Sequence, residues 1–310
     1  MIRAGFQHQA LIYDGAEEYL AATVPFIESA LEAEEPALVA VGPAQAEWLG
    51  YELGEEPDGL RFLPMDEVGR NPASIIPLWR DFVEENRGFP VRGIGEAVWA
   101  ARSPAALEEC HRHEALLNVA FAEDLDFRLL CPYDAGSLPD DVLERVAVSH
   151  SHVCRDGRAE ESEAFDPSPD SLSGELPPPT ATPETFTFGL SELAEVRNRV
   201  AAAAERAGLD PGGVADLVTA TSELAANSVM HGGGGGTLRM WDERGALLAE
   251  VEDRGRIEEP LVGRLRPGVT QEGGRGLWLA NQLCDLVQIR SGASRTVVRL
   301  RLVAHEHAFV

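Results

Sequence analysis

Between residues 153 and 183 the chain reads VCRDGRAEESEAFDPSPDSLSGELPPPTATP, a run of Pro, Ser, Asp and Glu with a single aromatic residue. Such a composition buries too little apolar surface to offset the entropy of ordering the chain, and Pro177–Pro179 favour an extended polyproline II course. The run therefore reads as an acidic Pro/Ser-rich linker, 153–183, that separates two units, 1–152 and 184–310, each of ordinary domain size. An ordered surface loop is the competing reading, and an uncommon one, because structureless loops of this length are rare inside domains.

Residues 1–152 alternate strand and helix character. Short apolar runs at 9–13, 37–41, 60–63, 91–96 and 127–131 read as strands, and the continuous run 37–41 suits a strand buried on both faces. Between them, 16–33, 75–85, 104–121 and 140–148 carry helical periodicity, and Ser103 followed by Pro104 forms an N-cap and first-turn pair. Strand and helix in turn predict an α/β layered domain around a mostly parallel sheet. Residues 184–310 follow another order. A strand at 184–188 precedes helices at 191–207 and 211–230, the second capped by Asp210. Five glycines, 232–236, then break the chain before a hairpin of strands at 237–242 and 246–252. A Gly/Arg/Pro-rich stretch, 253–274, leads into a helix at 275–283 and strands at 286–290 and 296–302. This order predicts a two-layer α/β sandwich, one mixed sheet with its helices on one face.

Charge narrows the function. Across 310 residues, 52 Asp and Glu oppose 26 basic residues for a formal net charge of −26, and all the bases are Arg. The absence of Lys excludes a P-loop ATPase, a Lys Schiff base and the strand Lys of a protein kinase. The acidity argues against binding nucleic acid, which needs a clustered basic surface. No apolar stretch approaches the roughly 18–20 residues of a membrane span, and residues 1–20 lack the apolar core of a secretory signal. The four Cys at 110, 131, 154 and 284 are scattered without a CxxC pair, which suits reduced thiols. A cytoplasmic protein that binds no membrane is expected.

The second predicted helix of 184–310 carries Ser222-Glu223-Leu224-Ala225-Ala226-Asn227-Ser228-Val229-Met230-His231-Gly232. Glu223 and Asn227, four apart, share one helix face. Asn227 is a neutral oxygen ligand suited to Mg²⁺, and Glu223 is placed to take a proton from a water or hydroxyl attacking a terminal phosphate. A solvated helix face explains the same pair. The next strand runs into Asp253-Arg254-Gly255, setting an acceptor-only carboxylate at a strand end, suited to an exocyclic amine such as that of adenine. Glu272-Gly273-Gly274-Arg275-Gly276-Leu277 then opens a helix, where backbone N–H groups and Arg275 suit phosphate, or the glycines form a hinge.

This order of helix-borne Glu and Asn, strand-end Asp-x-Gly, Gly-rich loop and helix resembles the GHKL (Bergerat-fold) ATP-binding family over about residues 184–303. The short domain and SELAANSVMHG look most like the anti-sigma-factor serine kinases of bacterial partner switching. The resemblance implies ATP and Mg²⁺ as cofactors, with Glu223 as general base and Asn227 as Mg²⁺ ligand. It also implies Asp253 as adenine reader, and Gly255, Gly273, Gly274, Arg275, Gly276 and Leu277 along the nucleotide loops. His231 takes a structural or phosphate-side role. One position departs from the family. The loop after Asp253 holds Ile257 where a second Gly is usual, and a branched side chain disfavours positive φ and close backbone approach. Weaker nucleotide binding or a rearranged loop is expected.

Residues 1–150 resemble the MEDS sensory domain in QHQALIY at 7–13, VRGIGE at 91–96, CHRHEALLN at 110–118 and LCPYD at 130–134. The resemblance implies a small organic ligand. Because ligands of open parallel sheets bind at strand ends, His8, Glu96, Trp99, His113, Glu114 and Tyr133 are expected to line one pocket. Buried core histidines at 8 and 113 are the alternative. Cys110, His111 and His113 have ligand chemistry, but near-neighbours on a helix point in different directions and make a poor metal set.

The combined expectation is a signalling protein. A small-molecule sensor controls an ATP-binding domain that sequesters a sigma factor or phosphorylates a Ser/Thr of the anti-sigma-factor antagonist, and the output family implies a homodimer. A non-catalytic module, in which nucleotide orders the 256–272 stretch to select a partner, is the alternative. An atypical sensor histidine kinase is the third. His113-Glu114-Ala115-Leu116-Leu117-Asn118 has the outline of its phosphoacceptor motif, but no heptad hairpin precedes residue 184.

Overall fold

A computed structural model of the chain describes residues 6–54, 57–123, 126–268 and 274–304, and divides into two compact units, Met1–Ser173 and Gly174–Val310. Among the described residues of the first unit, seven strands form one sheet. They are β1 (Gln7–Tyr13), β2 (Ala37–Val41), β3 (Leu60–Pro64), β4 (Val91–Gly95), β5 (Phe127–Asp134), β6 (His152–Arg155) and β7 (Arg158–Glu161). Their order is β3-β2-β4-β5-β1-β6-β7, parallel throughout except for the terminal β6–β7 hairpin. The helices are α1 (Gly15–Glu32), α2 (Pro43–Leu53), α3 (Met65–Val68), α4 (Ile75–Glu85), α5 (Pro104–Ala120), α6 (Asp140–Glu144) and α7 (Val146–Ser149).

Strand alternation sorts the residues by face. Leu11, Tyr13, Ile94 and Leu130 pack with Tyr19 and Ile27 of α1 and Leu49 of α2. His8, Ala10, Cys131 and Tyr133 point the other way, toward α5. On that second face Trp79 of α4 lies flat on β4. A Cβ at Gly93 would fall 2.7 Å from its ring and one at Gly95 2.8 Å, so the Gly-Ile-Gly of this strand is a seat for an indole.

The layered, mainly parallel sheet agrees with the sequence reading, with local differences. Helices α2 and α3 were not expected; α3 has only four residues, and only Leu49 of α2 is fully buried, so it carries little apolar periodicity. The single helix expected at 140–148 breaks at Arg145 into α6 and α7. Most informative is the expected linker, much of which is structured. Residues 153–161 form nearly all of the β6–β7 hairpin, with Asp156 and Gly157 at φ 51° and 72° making the tight turn. β6 then extends the sheet by pairing with β1.

The second unit contains β8 (Glu184–Gly189), α8 (Leu193–Arg206), α9 (Pro211–His231), β9 (Gly235–Glu243), β10 (Ala246–Asp253), α10 (Arg275–Leu283), β11 (Leu286–Ser291) and β12 (Thr296–Val303). The sheet order is β11-β12-β10-β9-β8, and every pairing is antiparallel, which corrects the expected mixed sheet. One face packs α8, α9 and α10 through Val200, Leu217, Leu224, Leu238, Ala249 and Leu300. The pentaglycine is only partly a break, since β9 begins inside it. A Cβ at Gly235 would sit 2.2 Å from the Phe188 carbonyl of β8, so only glycine allows that approach.

The opposite face holds charge. Arg299 donates to Glu250 Oε2 at 2.9 and 2.6 Å, both residues are buried, and Arg239 reaches Glu250 Oε1 at 3.1 Å. The end of the Pro-rich run crosses this face: Arg299 also donates to the Pro177 carbonyl at 2.9 Å, and Thr180 Oγ1 donates to Glu243 Oε2 at 2.7 Å. Three successive prolines lack N–H groups, so their carbonyls are free to take a buried guanidinium. Removing Glu250 strands Arg299 without its carboxylate. Glu250→Ala is expected to destabilise the second unit by about 3–5 kcal/mol in urea unfolding; a loss below about 1 kcal/mol would contradict a buried pair.

Candidate functional site

Helix α9 starts cleanly. Asp210 accepts a hydrogen bond from Gly213 N at 2.7 Å, and Pro211 occupies the first turn. Leu217, Ala220, Leu224 and Ala225 bury the sheet-facing side. Glu223 and Asn227, half-buried, sit one turn apart and meet the first turn of α10: a Cβ at Gly276 would fall 2.8 Å from Glu223 Oε2 and 3.2 Å from Asn227 Nδ2. The expected pair thus meets the expected glycine. A side chain at this position would displace the Glu223 carboxylate.

Asp253, at the end of β10, is fixed from two sides. Ser228 Oγ donates to its Oδ2 at 2.6 Å, and Gly255 N donates to Oδ1 at 2.7 Å. Gly232 lies against the carboxyl, where a Cβ would come within 2.5 Å of Asp253 Cγ, and its carbonyl accepts from Arg254 N at 3.1 Å. Ser228 and Gly232 were not expected in the site, although both lie in the motif that holds Asn227. The carboxylate keeps further lone pairs for an amine donor.

The loop after Asp253 is anchored at Ile257. This residue lies outside the positive-φ region, its N–H donates to Ser291 Oγ at 2.8 Å, and its side chain packs on the core. Thr296 Oγ1 bonds Ser291 at 2.8 Å and donates to the Gly255 carbonyl at 2.9 Å, tying the loop to the β11–β12 hairpin. Farther on, Asn281 Nδ2 of α10 donates to the Gly263 carbonyl at 2.8 Å, and Gly263, at φ 76°, seats against Leu277. Gly274 caps α10 at φ 79°, a conformation glycine adopts freely. Arg275 is exposed beside it, and His231 is exposed at the end of α9. Leu277, expected along the nucleotide loops, has its side chain in the core, which leaves only its backbone for that role. Gly273 lies outside the described residues, with residues 269–272.

Three segments, α9, the β10 end and the α10 start, therefore converge in the second unit. Residues 186–302 match the family model of the histidine kinase-like ATPase domain, and residues 7–151 match that of the MEDS, the methanogen/methylotroph, DcmR sensory domain. The chain joins a MEDS domain to a histidine kinase-like ATPase domain. No curated protein matches it. Part of it is similar to the RsbU and RsbW domains of Rv1364c from Mycobacterium tuberculosis, with 24% identity over 42% of this chain and 35% of that one, at a TM-score of 0.32. The Acinetobacter baumannii histidine kinase AdeS is similar at 14% identity over 40% of this chain and 68% of that one, at a TM-score of 0.23. The match thus spans 35% of the Mycobacterium chain's length. A sensory domain and an ATPase domain in one chain form a signal-transduction architecture, and the ATPase domain implies ATP binding. No helix among the described residues is long and apolar enough to cross a membrane.

In the MEDS domain the sheet separates Glu96 from His8, Glu114 and Tyr133, so the six expected residues do not all line one pocket. Glu96 lies on the α1 face, where its Oε1 accepts from Tyr13 OH at 3.1 Å and Gln45 Nε2 at 3.2 Å, and its Oε2 from Gly42 N at 3.3 Å. Gln45 belongs to the helix that sequence reading missed. His8, Glu114 and Tyr133 lie on the α5 face, with His8 Nε2 3.0 Å from Glu114 Oε2. Trp99 stacks under the Arg102 guanidinium, 3.5 Å from its ring centroid, and His113 is buried on α5.

Burial pushes the Glu96 carboxyl from its usual value of 4.5 up to about 7. A raised carboxyl pKa contributes stability that is complete below about 4.5 and lost as pH rises through about 7. Wild type should therefore lose MEDS-domain stability between pH 5 and 8 relative to Glu96→Gln, by up to about 3 kcal/mol. Chemical denaturation of both proteins at the two pH values measures this, and a wild-type-to-variant difference that is flat with pH would contradict it.

Proposed function

We propose that the ATPase domain binds Mg-ATP in the niche between α9, the β10 end and α10, and uses it in bacterial sigma-factor control under a small-molecule signal from the MEDS domain. The observation that carries this reading is the meeting of Glu223 and Asn227 with Gly276, next to an Asp253 already oriented by Ser228 and Gly255. Gly232 and Gly276 let Asp253, Glu223 and Asn227 approach the backbone closely, which gathers these side chains into one niche. Asn227 would hold the Mg²⁺, Asp253 would accept the adenine amine, and the N–H groups opening α10 would receive phosphate oxygens. Bound Mg-ATP supplies a transferable phosphoryl group and charge neutralisation on it.

Within that site Glu223 takes the proton of a partner Ser or Thr hydroxyl. The hydroxyl oxygen would then take the terminal phosphoryl group that bound Mg-ATP supplies, with ADP as the leaving group. The partner is an anti-sigma-factor antagonist, and the sigma factor itself is the protein sequestered. A second reading has a specific observation in its favour. Ile257 spends its N–H on Ser291 Oγ and its side chain on the core, which takes this backbone away from a phosphate and suits a module that binds nucleotide to select a partner without transferring phosphate.

Calorimetric titration of the full chain with ATP, with and without Mg²⁺, tests the site. Mg²⁺-dependent binding that falls at least about tenfold in Asn227→Ala is expected; no binding at millimolar ATP would sink it. Glu223→Gln then separates the two readings. Phosphoryl transfer to the partner collapses by roughly 10²–10⁴ with partner binding retained if Glu223 is the base, and nothing changes if the module is non-catalytic.

A further inference from the structure

Beneath α5, on the face of the MEDS sheet opposite Glu96, four side chains from distant parts of the chain converge: His8 of β1, Glu114 of α5, Cys131 of β5 and His150 just after α7. All are buried, and one donor atom from each lies within 4.8 Å of every other. His8 Nε2 is 3.0 Å from Glu114 Oε2 and 3.3 Å from Cys131 Sγ, and His150 Nε2 is 3.5 Å from the same Glu114 oxygen. A tetrahedral Zn²⁺ with bonds of about 2.0–2.3 Å sets its donors about 3.3–3.8 Å apart. Three of the six donor pairs, at 3.0, 3.3 and 3.5 Å, thus lie near the edge length of a coordination tetrahedron.

The outer hydrogen bonds decide which atoms of the two imidazoles face inward. Asn118 Nδ2 donates to the Ser149 carbonyl at 2.8 Å, which turns its Oδ1 toward His8 Nδ1 at 3.2 Å. His8 therefore carries its proton on Nδ1. His150 Nδ1 faces the Val146 carbonyl at 2.9 Å, so it too is the protonated nitrogen. Both Nε2 lone pairs then face the oxygen of Glu114, with the Cys131 sulfur beside them. Lone pairs gathered around a carboxylate oxygen repel unless a positive charge lies among them. Histidines whose Nδ1–H is held by a carbonyl or amide oxygen, presenting Nε2 to a common point, have the usual second shell of a metal site.

We infer that His8, Glu114, Cys131 and His150 form a Zn²⁺-type site in the MEDS domain, with the imidazoles set by Asn118 and the Val146 carbonyl. The mixed nitrogen, oxygen and sulfur set suits a borderline-soft divalent ion in tetrahedral geometry. Binding deprotonates Cys131 and releases that proton to solvent. The site ties β1, α5, β5 and the α7 end together, so its occupancy bears on the fold of the whole face.

The full-length protein, stripped with a chelator, is titrated with Co²⁺ and then Zn²⁺ while near-ultraviolet circular dichroism follows folding. The expected result is one Co²⁺ per chain with tetrahedral visible bands and a thiolate-to-cobalt band, both displaced by Zn²⁺. Cys131→Ser removes the thiolate band, and His150→Ala weakens binding at least about tenfold. Loss of native dichroism on stripping that Zn²⁺ restores supports the site equally. A natively folded protein that gives no tetrahedral spectrum overturns it. So does a thiolate band that survives Cys131→Ser, or an affinity unchanged in His150→Ala.

Discussion

The hydrogen bonds that fix Asp253 organise the second unit. Ser228 reaches it from the inner face of α9, Gly255 closes the turn beneath it, and Gly232, lacking a side chain, leaves room for the carboxyl against the backbone. Through this carboxylate the C-terminal half of α9 is registered to the end of β10. The same helix then presents Glu223 and Asn227 to α10 one turn earlier. A helix packed on a sheet ordinarily hides an apolar stripe and exposes the rest to solvent. α9 instead has a third side, half-buried and polar, facing a neighbouring helix start. That third side is what gives the domain chemistry beyond packing.

The first unit shows the same logic on a parallel sheet. Both faces are covered, so a polar residue on a central strand has to find a partner in the overlying layer. Arg92 does so with Glu35, at 2.6 Å. Glu96 does so with Tyr13 and Gln45, and His8 with Glu114 and Asn118. The sheet keeps these groups apart, which gives the domain two chemically distinct polar centres. One is a carboxyl near neutrality beside strand ends, and the other a histidine–carboxylate–thiol cluster beneath α5.

Elements with a strong local signal were readable in the sequence. The apolar run of β2, the Ser103-Pro104 start of α5 and the Asp210-Pro211 start of α9 each carry their own cause, and their limits agree closely with the structure. In the ATPase domain, motif order placed Glu223, Asn227, Asp253 and Gly276 in neighbouring segments. What composition suggested was less secure. The acidic Pro/Ser run reads as a free linker only if the Asp156-Gly157 turn signal is outweighed, and the structure builds a hairpin on that turn. The carbonyls of the prolines were equally invisible as acceptors until Arg299 was seen beneath them. Contacts between distant segments left no local trace. Nothing near Ile257 announces Ser291, and nothing in the spacing of residues 8, 114, 131 and 150 announces a shared centre. Glu96 and His8 do not meet for a simpler reason: strand alternation sends their side chains to opposite faces of the sheet.

Hydrogen–deuterium exchange of the full chain, with and without Mg-ATP, bears on the whole account at residue level. Slowed exchange on nucleotide addition in 223–232, 253–257 and 274–279, with the β11–β12 hairpin following through Ser291 and Thr296, is the predicted pattern. Nucleotide that protects none of these segments, or protects only the MEDS domain, would contradict it.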